Sequence, residues 1–139
     1  MASIYDPYYD DLVKIQQKVL DDIEDIKQDI MQKKGMNPIE HCLSRIKDEA
    51  SMKEKCLRKH LPINSDSALH KIQDAIGVRI VCAFLDDVYD IRDALLHEKH
   101  YEIIREKDYI KNVKPSGYRS LHLIVKVDSY FVEFQLRTI

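Results

Sequence analysis

Three groups of residues in this sequence could do chemistry. The first is cationic. Arg45 and Lys47 alternate on a short piece that reads as extended, so both point the same way, and Lys55 and Arg58 stand one turn apart on the helix expected next. Cations converging from neighbouring elements repel one another unless an anion or a carboxylate sits between them. A triphosphate would suit, because guanidinium forks and ammonium groups both form charge-assisted bonds to phosphate oxygens. The alternative is an ordinary solvated basic face, and spacing alone does not separate the two. The second group is a pair of carboxylates. Asp74 precedes a strongly apolar run that contains Arg79, while Glu133 lies far along the chain in an alternating segment. A carboxylate at the mouth of a strand can hold a hard cation such as Mg²⁺, which takes oxygen ligands and usually keeps several waters. Paired carboxylates can bridge such a cation to phosphates, and one can accept the proton of an attacking hydroxyl. Taken singly, each is a plain loop or strand carboxylate.

The third group comes from a hairpin. Leu121 to Val127 and Tyr130 to Leu136 both alternate, and Asp128-Ser129 is the turn signal between them. A two-residue loop makes Val127 oppose Tyr130, Ile124 oppose Glu133 and His122 oppose Gln135. One face then collects Leu123, Val125, Tyr130, Val132, Phe134 and Leu136 as core. The other collects Ser120, His122, Glu133, Gln135 and Arg137. A strand face so crowded with hydrogen-bonding groups is either solvated or a site.

The elements that would hold these residues are legible from periodicity. Leu12, Ile15, Val19, Ile23, Ile26 and Ile30 form one apolar stripe at spacings of three and four, closed by Gly35, so a long N-terminal helix is expected. Ile39 to Lys47 reads as extended near Leu43 and Ile46. Asp48 is a plausible N-cap for a helix through Met52, Cys56 and Leu57, and Asn64 or Ser65 can cap a further short helix carrying Leu69 and Ile72. Ile76 to Phe84 is nearly continuous in apolar residues and predicts a central strand covered on both faces. Asp86 and Asp87 open an amphipathic helix with Val88, Ile91, Ala94 and Leu95 inward. Tyr101 to Ile104 reads as a strand and Lys107 to Gly117 as a polar, basic loop. The fold class is α+β, with a mixed sheet of four or five strands and helices packed on it, in one domain over 1–139: helix over about 1–34, core over about 40–139.

Composition bounds the function. The chain has 139 residues, the size of one compact domain, and a net charge of −2, which disfavours a general nucleic-acid surface. Beneath that sum, Asp10, Asp11, Asp21, Asp22, Glu24, Asp25 and Asp29 make the N-terminal segment acidic, while Arg45 to Lys59 and Arg105 to Arg119 are locally basic. Such clusters favour pockets for small phosphorylated ligands over a DNA-wrapping face. There is no unbroken apolar window of about 18 residues and no membrane span is expected. The start, Met1-Ala2-Ser3-Ile4-Tyr5-Asp6, lacks the pattern of a secretory signal, and a cytoplasmic protein is expected. Cys42, Cys56 and Cys82 lie far apart and read as reduced packing thiols, and His97 and His100 as a solvated helix end.

The most specific stretch is Lys107-Asp108-Tyr109-Ile110-Lys111-Asn112-Val113-Lys114-Pro115-Ser116-Gly117-Tyr118-Arg119-Ser120-Leu121-His122. Together with Asp74 to Arg79 and Val132 to Thr138 it is similar to the three signature blocks of RelA/SpoT synthetase domains. Ser44 to Lys47, followed by Lys55 and Arg58, resembles the family's ATP-binding block. The resemblance covers about residues 40–139 in family order. It implies a nucleotidyltransferase-like synthetase fold and transfer of pyrophosphate from ATP to the 3′-hydroxyl of GDP or GTP, a GTP pyrophosphokinase of the stringent response. It further implies that Arg45, Lys47, Lys55, Arg58 and Arg79 hold ATP, and that Asp74 and Glu133 hold Mg²⁺, with Glu133 also the candidate base. Lys111, Lys114, Tyr118 and His122 would hold the acceptor nucleotide, Tyr118 by stacking on guanine.

The sequence also departs from the family. Val113 replaces a common proline and Ser44 a common glycine, and the last turn is short. No His-Asp dipeptide occurs, which fits a synthetase-only class. Relatives continue past Thr138-Ile139 into helices that cover the sheet and help build a homotetramer, so Tyr130, Val132, Phe134 and Leu136 are expected to lie uncovered on one side. Two other functions fit the same residues: a toxic relative acting on another 3′-hydroxyl, of an adenine nucleotide or tRNA, and a silent nucleotide- or RNA-binding module.

Overall fold

A computed structural model describes residues 3–139; residues 1 and 2, with which the expected helical span of about 1–34 begins, lie outside the described residues. The elements in chain order are α1 (Tyr9–Lys34), β1 (His41–Ile46), α2 (Glu49–Arg58), a π-helical turn (Ser67–Lys71), β2 (Ile76–Cys82), α3 (Leu85–Leu96), β3 (Tyr101–Asp108), β4 (Leu121–Val127) and β5 (Tyr130–Thr138). The expected stripe on α1 is the buried one: Leu12, Ile15, Val19, Ile23, Ile26 and Ile30 all face inward. Asp10 and Asp11 at its start and Lys33 and Lys34 at its end complement the helix dipole. Gly35, at φ 75°, supplies the left-handed residue that returns its N–H to Met31.

The strands form one mixed sheet in the order β1-β2-β5-β4-β3. β2 and β5 run parallel and the other neighbours antiparallel. The hairpin pairing is the expected one, with Val127 opposite Tyr130, Ile124 opposite Glu133 and His122 opposite Gln135. Ile76, Val78 and Ile80 of β2, Val132, Phe134 and Leu136 of β5, and Leu121, Leu123 and Val125 of β4 form one continuous buried layer. α1 packs against β1, and α3 against β2, β3 and β5, which closes that face. Among the described residues no helix is long and apolar enough to cross a membrane.

Several expectations need correction. Val132, Phe134 and Leu136 are fully buried and Tyr130 is half-buried, its hydroxyl donating to Asp11 of α1 at 2.9 Å. The helices of this chain therefore cover the apolar face by themselves. β2 is an interior strand, paired with β1 and β5 as expected, but it is not covered on both faces: Gly77 and Arg79 face the open side. The alternation of exposure was hidden because Val81, on that same open face, is also apolar and buried. β3 runs on to Asp108, past a bulge between Ile103 and Arg105, so the basic loop starts at Tyr109. The short helix after Asn64 is a π turn, entered through the Asn64 side chain, which accepts from Ser67 N–H at 2.9 Å.

Phe134 is the largest fully buried side chain and lies at the centre of this layer. Phe134→Ala is expected to cost about 3–5 kcal/mol of unfolding free energy. Urea unfolding followed by circular dichroism checks this, and a loss under about 1 kcal/mol would show that the sheet's covered face is loosely packed.

Candidate active site

The open face of the sheet is organised by strand register. Cα partners place Arg45, Gly77, Glu133 and Ile124 in one row across β1, β2, β5 and β4, and Leu43, Arg79, Gln135 and His122 in the next. Gly77 presents no side chain between Arg45 and Glu133. A Cβ there would meet Arg45 Cγ at 3.9 Å, so the gap is real but not tight. A cavity of about 480 Å³ opens over these rows, lined by Leu43, Ser44, Arg45, Asp74, Gly77, Val78, Arg79, Glu133 and Gln135. Two carboxylates and two guanidinium groups, drawn from three separate stretches of chain, share this one space.

A tight corner brings Asp74 to the edge of the cavity. Lys47 follows β1 directly, and its backbone N–H donates to Ala75 at 2.8 Å. The buried hydroxyl of Tyr5 donates to Lys47 carbonyl oxygen at 2.6 Å, so the segment ahead of α1 braces the corner. Asp48 then caps α2 by accepting from Ser51 N–H at 2.8 Å, as its position implied. That start sets Lys55 two turns up the helix, facing back to the corner. Asp74 Oδ2 accepts from Lys55 Nζ at 2.7 Å and from Lys47 Nζ at 2.9 Å. The cations at this corner thus converge on an internal carboxylate.

Burial alone would raise the Asp74 carboxyl, but the hydrogen bonds and charges of Lys55 and Lys47 outweigh it and hold the group below its ordinary value. Its other oxygen, Oδ1, is buried without a hydrogen-bond partner. An unpaired buried carboxylate oxygen is costly in a folded protein, and a hard cation is the kind of group that would satisfy it. Glu133 supplies a second oxygen donor in the same cavity. No closed set of three or more ligating side chains forms among the described residues. The donor set therefore fits Mg²⁺, whose remaining positions go to water and phosphate oxygens.

Glu133 borders a second cluster. Arg79 Nε donates to Gln135 Oε1 at 3.0 Å, which turns the Gln135 amide nitrogen toward the Tyr118 oxygen, to which it donates. Tyr118 keeps one proton to give, and His122 Nε2 lies 2.8 Å from its oxygen. In the neutral ring Nε2 then accepts, so the proton sits on Nδ1, which faces Glu133 Oε1 at 3.5 Å. One directional chain thus runs from Arg79 through Gln135 and Tyr118 to His122, whose ring stands next to Glu133. Tyr109 adds an aromatic wall, with its ring centroid 5.7 Å from that of His122 and 6.1 Å from that of Tyr118. Lys114 Nζ lies over the rings of Tyr109 and Tyr118, 4.3 and 5.6 Å from their centroids.

Of the residues singled out from the sequence, Asp74, Glu133, Arg45 and Arg79 meet in the cavity, Lys47 and Lys55 stand behind Asp74, and Tyr118 and His122 adjoin Glu133. Lys111 and Lys114 are exposed on the loop. Arg58 is not brought to the cavity wall: it is exposed on α2, with Nε 3.9 Å from Glu54. Sequence reasoning missed Gly77 and Leu43 as lining residues, and Tyr109. The signal for Gly77 was a side-chain-free position within an otherwise bulky strand; Tyr109 had none beyond being aromatic.

Known proteins resemble the chain in sequence and in fold. Residues 44–139 match the family model described as the region found in RelA / SpoT proteins. The chain is 41% identical over 113 residues to the GTP pyrophosphokinase YwaC of Bacillus subtilis, an overlap covering 76% of this chain and 54% of the relative. It is 36% identical over 111 residues to the GTP pyrophosphokinase YjbM of the same organism, covering 74% and 51%. The chain thus spans about half the length of the curated relatives it matches. The small alarmone synthetase 1 from Bacillus subtilis bound to its product pppGpp superposes with a TM-score of 0.76 and 31% identity, over 96% of this chain and 70% of that one. The chain belongs to the RelA/SpoT family and has the α+β fold of the small alarmone synthetases.

The Asp74 corner predicts a pH dependence. Its folded carboxyl titrates below the ordinary value of 3.8, so folding favours the charged form. The stabilisation is fully present above that ordinary value and is lost as pH falls through the depressed one. Asp74→Asn, which leaves two lysines facing each other without a counter-charge, is expected to lower stability at pH 7. It should also flatten the fall in stability below about pH 4. Urea midpoints measured between pH 7 and pH 2.5 check both; an unchanged acid slope would remove Asp74 as the source.

Proposed function

We propose that this chain transfers pyrophosphate from ATP to the 3′-hydroxyl of GDP or GTP. The observation that carries the reading is the placement of Asp74 and Glu133 in one cavity with Arg45 and Arg79, from separate strands and loops. The names of the curated relatives and of the product-bound structural neighbour support the same reaction. The reaction forms a bond between the acceptor 3′-oxygen and the β-phosphorus of ATP and breaks the bond from that phosphorus to the oxygen bridging it to the α-phosphorus, so AMP leaves. Little covalent chemistry falls to the protein in such a transfer; positioning and charge neutralisation do most of it.

The roles follow from where each group stands. Arg45 and Arg79 flank the gap at Gly77, and planar guanidinium groups there suit both the stacking of an adenine ring and the binding of its phosphates. Lys47 and Lys55 hold Asp74 in its charged state and, within reach of the same corner, offer ammonium donors to phosphate oxygens. Asp74 and Glu133 would hold Mg²⁺, whose chemistry when bound is to neutralise phosphate charge. Glu133 accepts the proton of the 3′-hydroxyl, and the His122 ring stands beside its carboxylate, Nδ1 3.5 Å from Oε1. Tyr118 supplies the ring for the acceptor base, and Lys111 and Lys114 supply charge for its phosphates. Arg58 joins the ATP side only if α2 closes on bound nucleotide. The setting is a cytoplasmic one, acting on free nucleotides with no membrane or DNA involved. A homotetramer of the small-synthetase kind is the proposed assembly.

Incubation with Mg²⁺, γ-labelled ATP and GDP or GTP, followed by chromatography, tests the reaction: label should appear in guanosine tetra- or pentaphosphate. Label in AMP or tRNA instead would move the assignment to the toxic relatives, and nucleotide binding without transfer would mark a silent binding module. Glu133→Gln is expected to lower turnover by at least about a hundredfold while ATP affinity stays within about threefold. Near wild-type turnover in that variant would remove Glu133 from its role.

A further inference from the structure

Beyond the cavity, one carboxylate sets how the acceptor loop begins. Asp108 ends β3, and its Oδ1 accepts the backbone N–H groups of Ile110 at 2.9 Å and Lys111 at 3.0 Å. Its Oδ2 accepts from the Tyr89 hydroxyl at 2.7 Å, and its carbonyl oxygen accepts from Asn112 N–H at 3.1 Å. A short polar side chain folding the next residues onto itself is an Asx turn, here fastened from outside by a tyrosine. Tyr89 has a firm base, because Val88, Ile91 and Leu95 of its helix are buried in the core. The Tyr89 ring also lies under the Lys111 ammonium, 5.3 Å from centroid to Nζ.

Tyr89 therefore touches the start of the loop twice, by its hydroxyl through Asp108 and by its ring through Lys111. The far end is fastened separately, by Tyr109 N–H to Ser120 at 2.9 Å and by the buried Ser120 hydroxyl to Leu136 at 3.2 Å. Between these anchors residues 111–117 are exposed and none is buried in the core. Burial and the facing Asp108 carboxylate push the Tyr89 phenol up to about 12, while for Asp108 burial is outweighed by the hydrogen bonds from Tyr89, Lys111 and Ile110, which hold it below its ordinary range. At neutral pH the pair thus stays a phenol donor and a carboxylate acceptor.

We propose that Tyr89 is a positioning residue for the acceptor nucleotide: through Asp108 it sets the first turn of the loop, and so the point from which Lys111 reaches an acceptor phosphate. This rests on the acceptor side assigned above. Tyr89 lies outside every motif block and does not line the cavity.

Tyr89→Phe keeps the ring under Lys111 and removes the hydroxyl. The acceptor KM should rise about three- to tenfold, with kcat and the KM for ATP within about twofold. Asp108→Ala should give a larger rise, and Asp108→Asn, whose Oδ1 still accepts both N–H groups, should restore most of it. Amide exchange in the nucleotide-free protein reads the same device without turnover: the Ile110 and Lys111 amides should exchange about tenfold faster in Asp108→Ala. An unchanged acceptor KM in Tyr89→Phe and Asp108→Ala, or an equal rise in both KM values, overturns the proposal. Calorimetric titration with GDP separates the two readings. Wild-type protein that neither binds nor modifies GDP removes the acceptor assignment, and with it this role. GDP-active protein whose Ile110 and Lys111 exchange is unmoved by Asp108→Ala removes the Tyr89 device alone.

Discussion

The parallel pairing of β2 with β5 is the constraint on which the rest of the site depends. It sets Gly77 beside Glu133 and Arg79 beside Gln135, joining two segments more than fifty residues apart in the chain. Because side chains alternate across a strand, a slip of one residue in either partner would carry Arg79 or Glu133 to the covered face and bring a core residue out. Val78, Ile80, Phe134 and Leu136 hold the register, since each is buried with no room to exchange. The covered face thus acts on the open one: hydrophobic burial below the sheet specifies which polar groups meet above it.

Upon that frame the charges are arranged to be stable before any ligand arrives. Asp74 neutralises Lys47 and Lys55 at the corner after β1, so the cations do not repel one another while the cavity is solvated. A carboxylate shared by two lysines leaves one of its own oxygens unspent, and Asp74 Oδ1 is that oxygen. On the other side of the cavity, a chain of donors runs from Arg79 through Gln135 and Tyr118 to His122, with Gln135 and Tyr118 each bonded on both sides. Such a network has direction, and direction is what assigns the His122 tautomer next to Glu133. Gln135 thereby ties Arg79 of β2 to Tyr118 of the acceptor loop.

The acceptor loop contrasts with this rigid floor. It leaves the sheet at Tyr109 and returns at Ser120, and residues 111–117 between them are exposed. Binding loops are commonly drawn from such weakly packed segments and positioned by a rigid scaffold at their ends. Here the ends are fastened to different bodies, one to α3 through Asp108 and the other to β5 through Ser120.

Much of this was legible in the residues. The stripe on α1, the cap at Asp48 and the hairpin partners Ile124–Glu133 and His122–Gln135 follow from spacings of three, four and two, which are local properties of the chain. Residue types also sufficed to single out Asp74, Glu133 and the cations, though whether these were solvated or gathered into a site stayed open. The exit of β3 at Asp108, the cover over Val132, Phe134 and Leu136, and the outward position of Arg58 were not legible, because each depends on what packs alongside. So does the convergence of Lys47 and Lys55 on Asp74. By itself, then, the sequence determined the elements, the faces of the hairpin and the kinds of group available. Only the tertiary structure decided which strands became neighbours, and hence that Gly77 opens a gap between Arg45 and Glu133. Periodicity carries information along one chain segment, whereas register between distant strands is chosen by the burial of both at once.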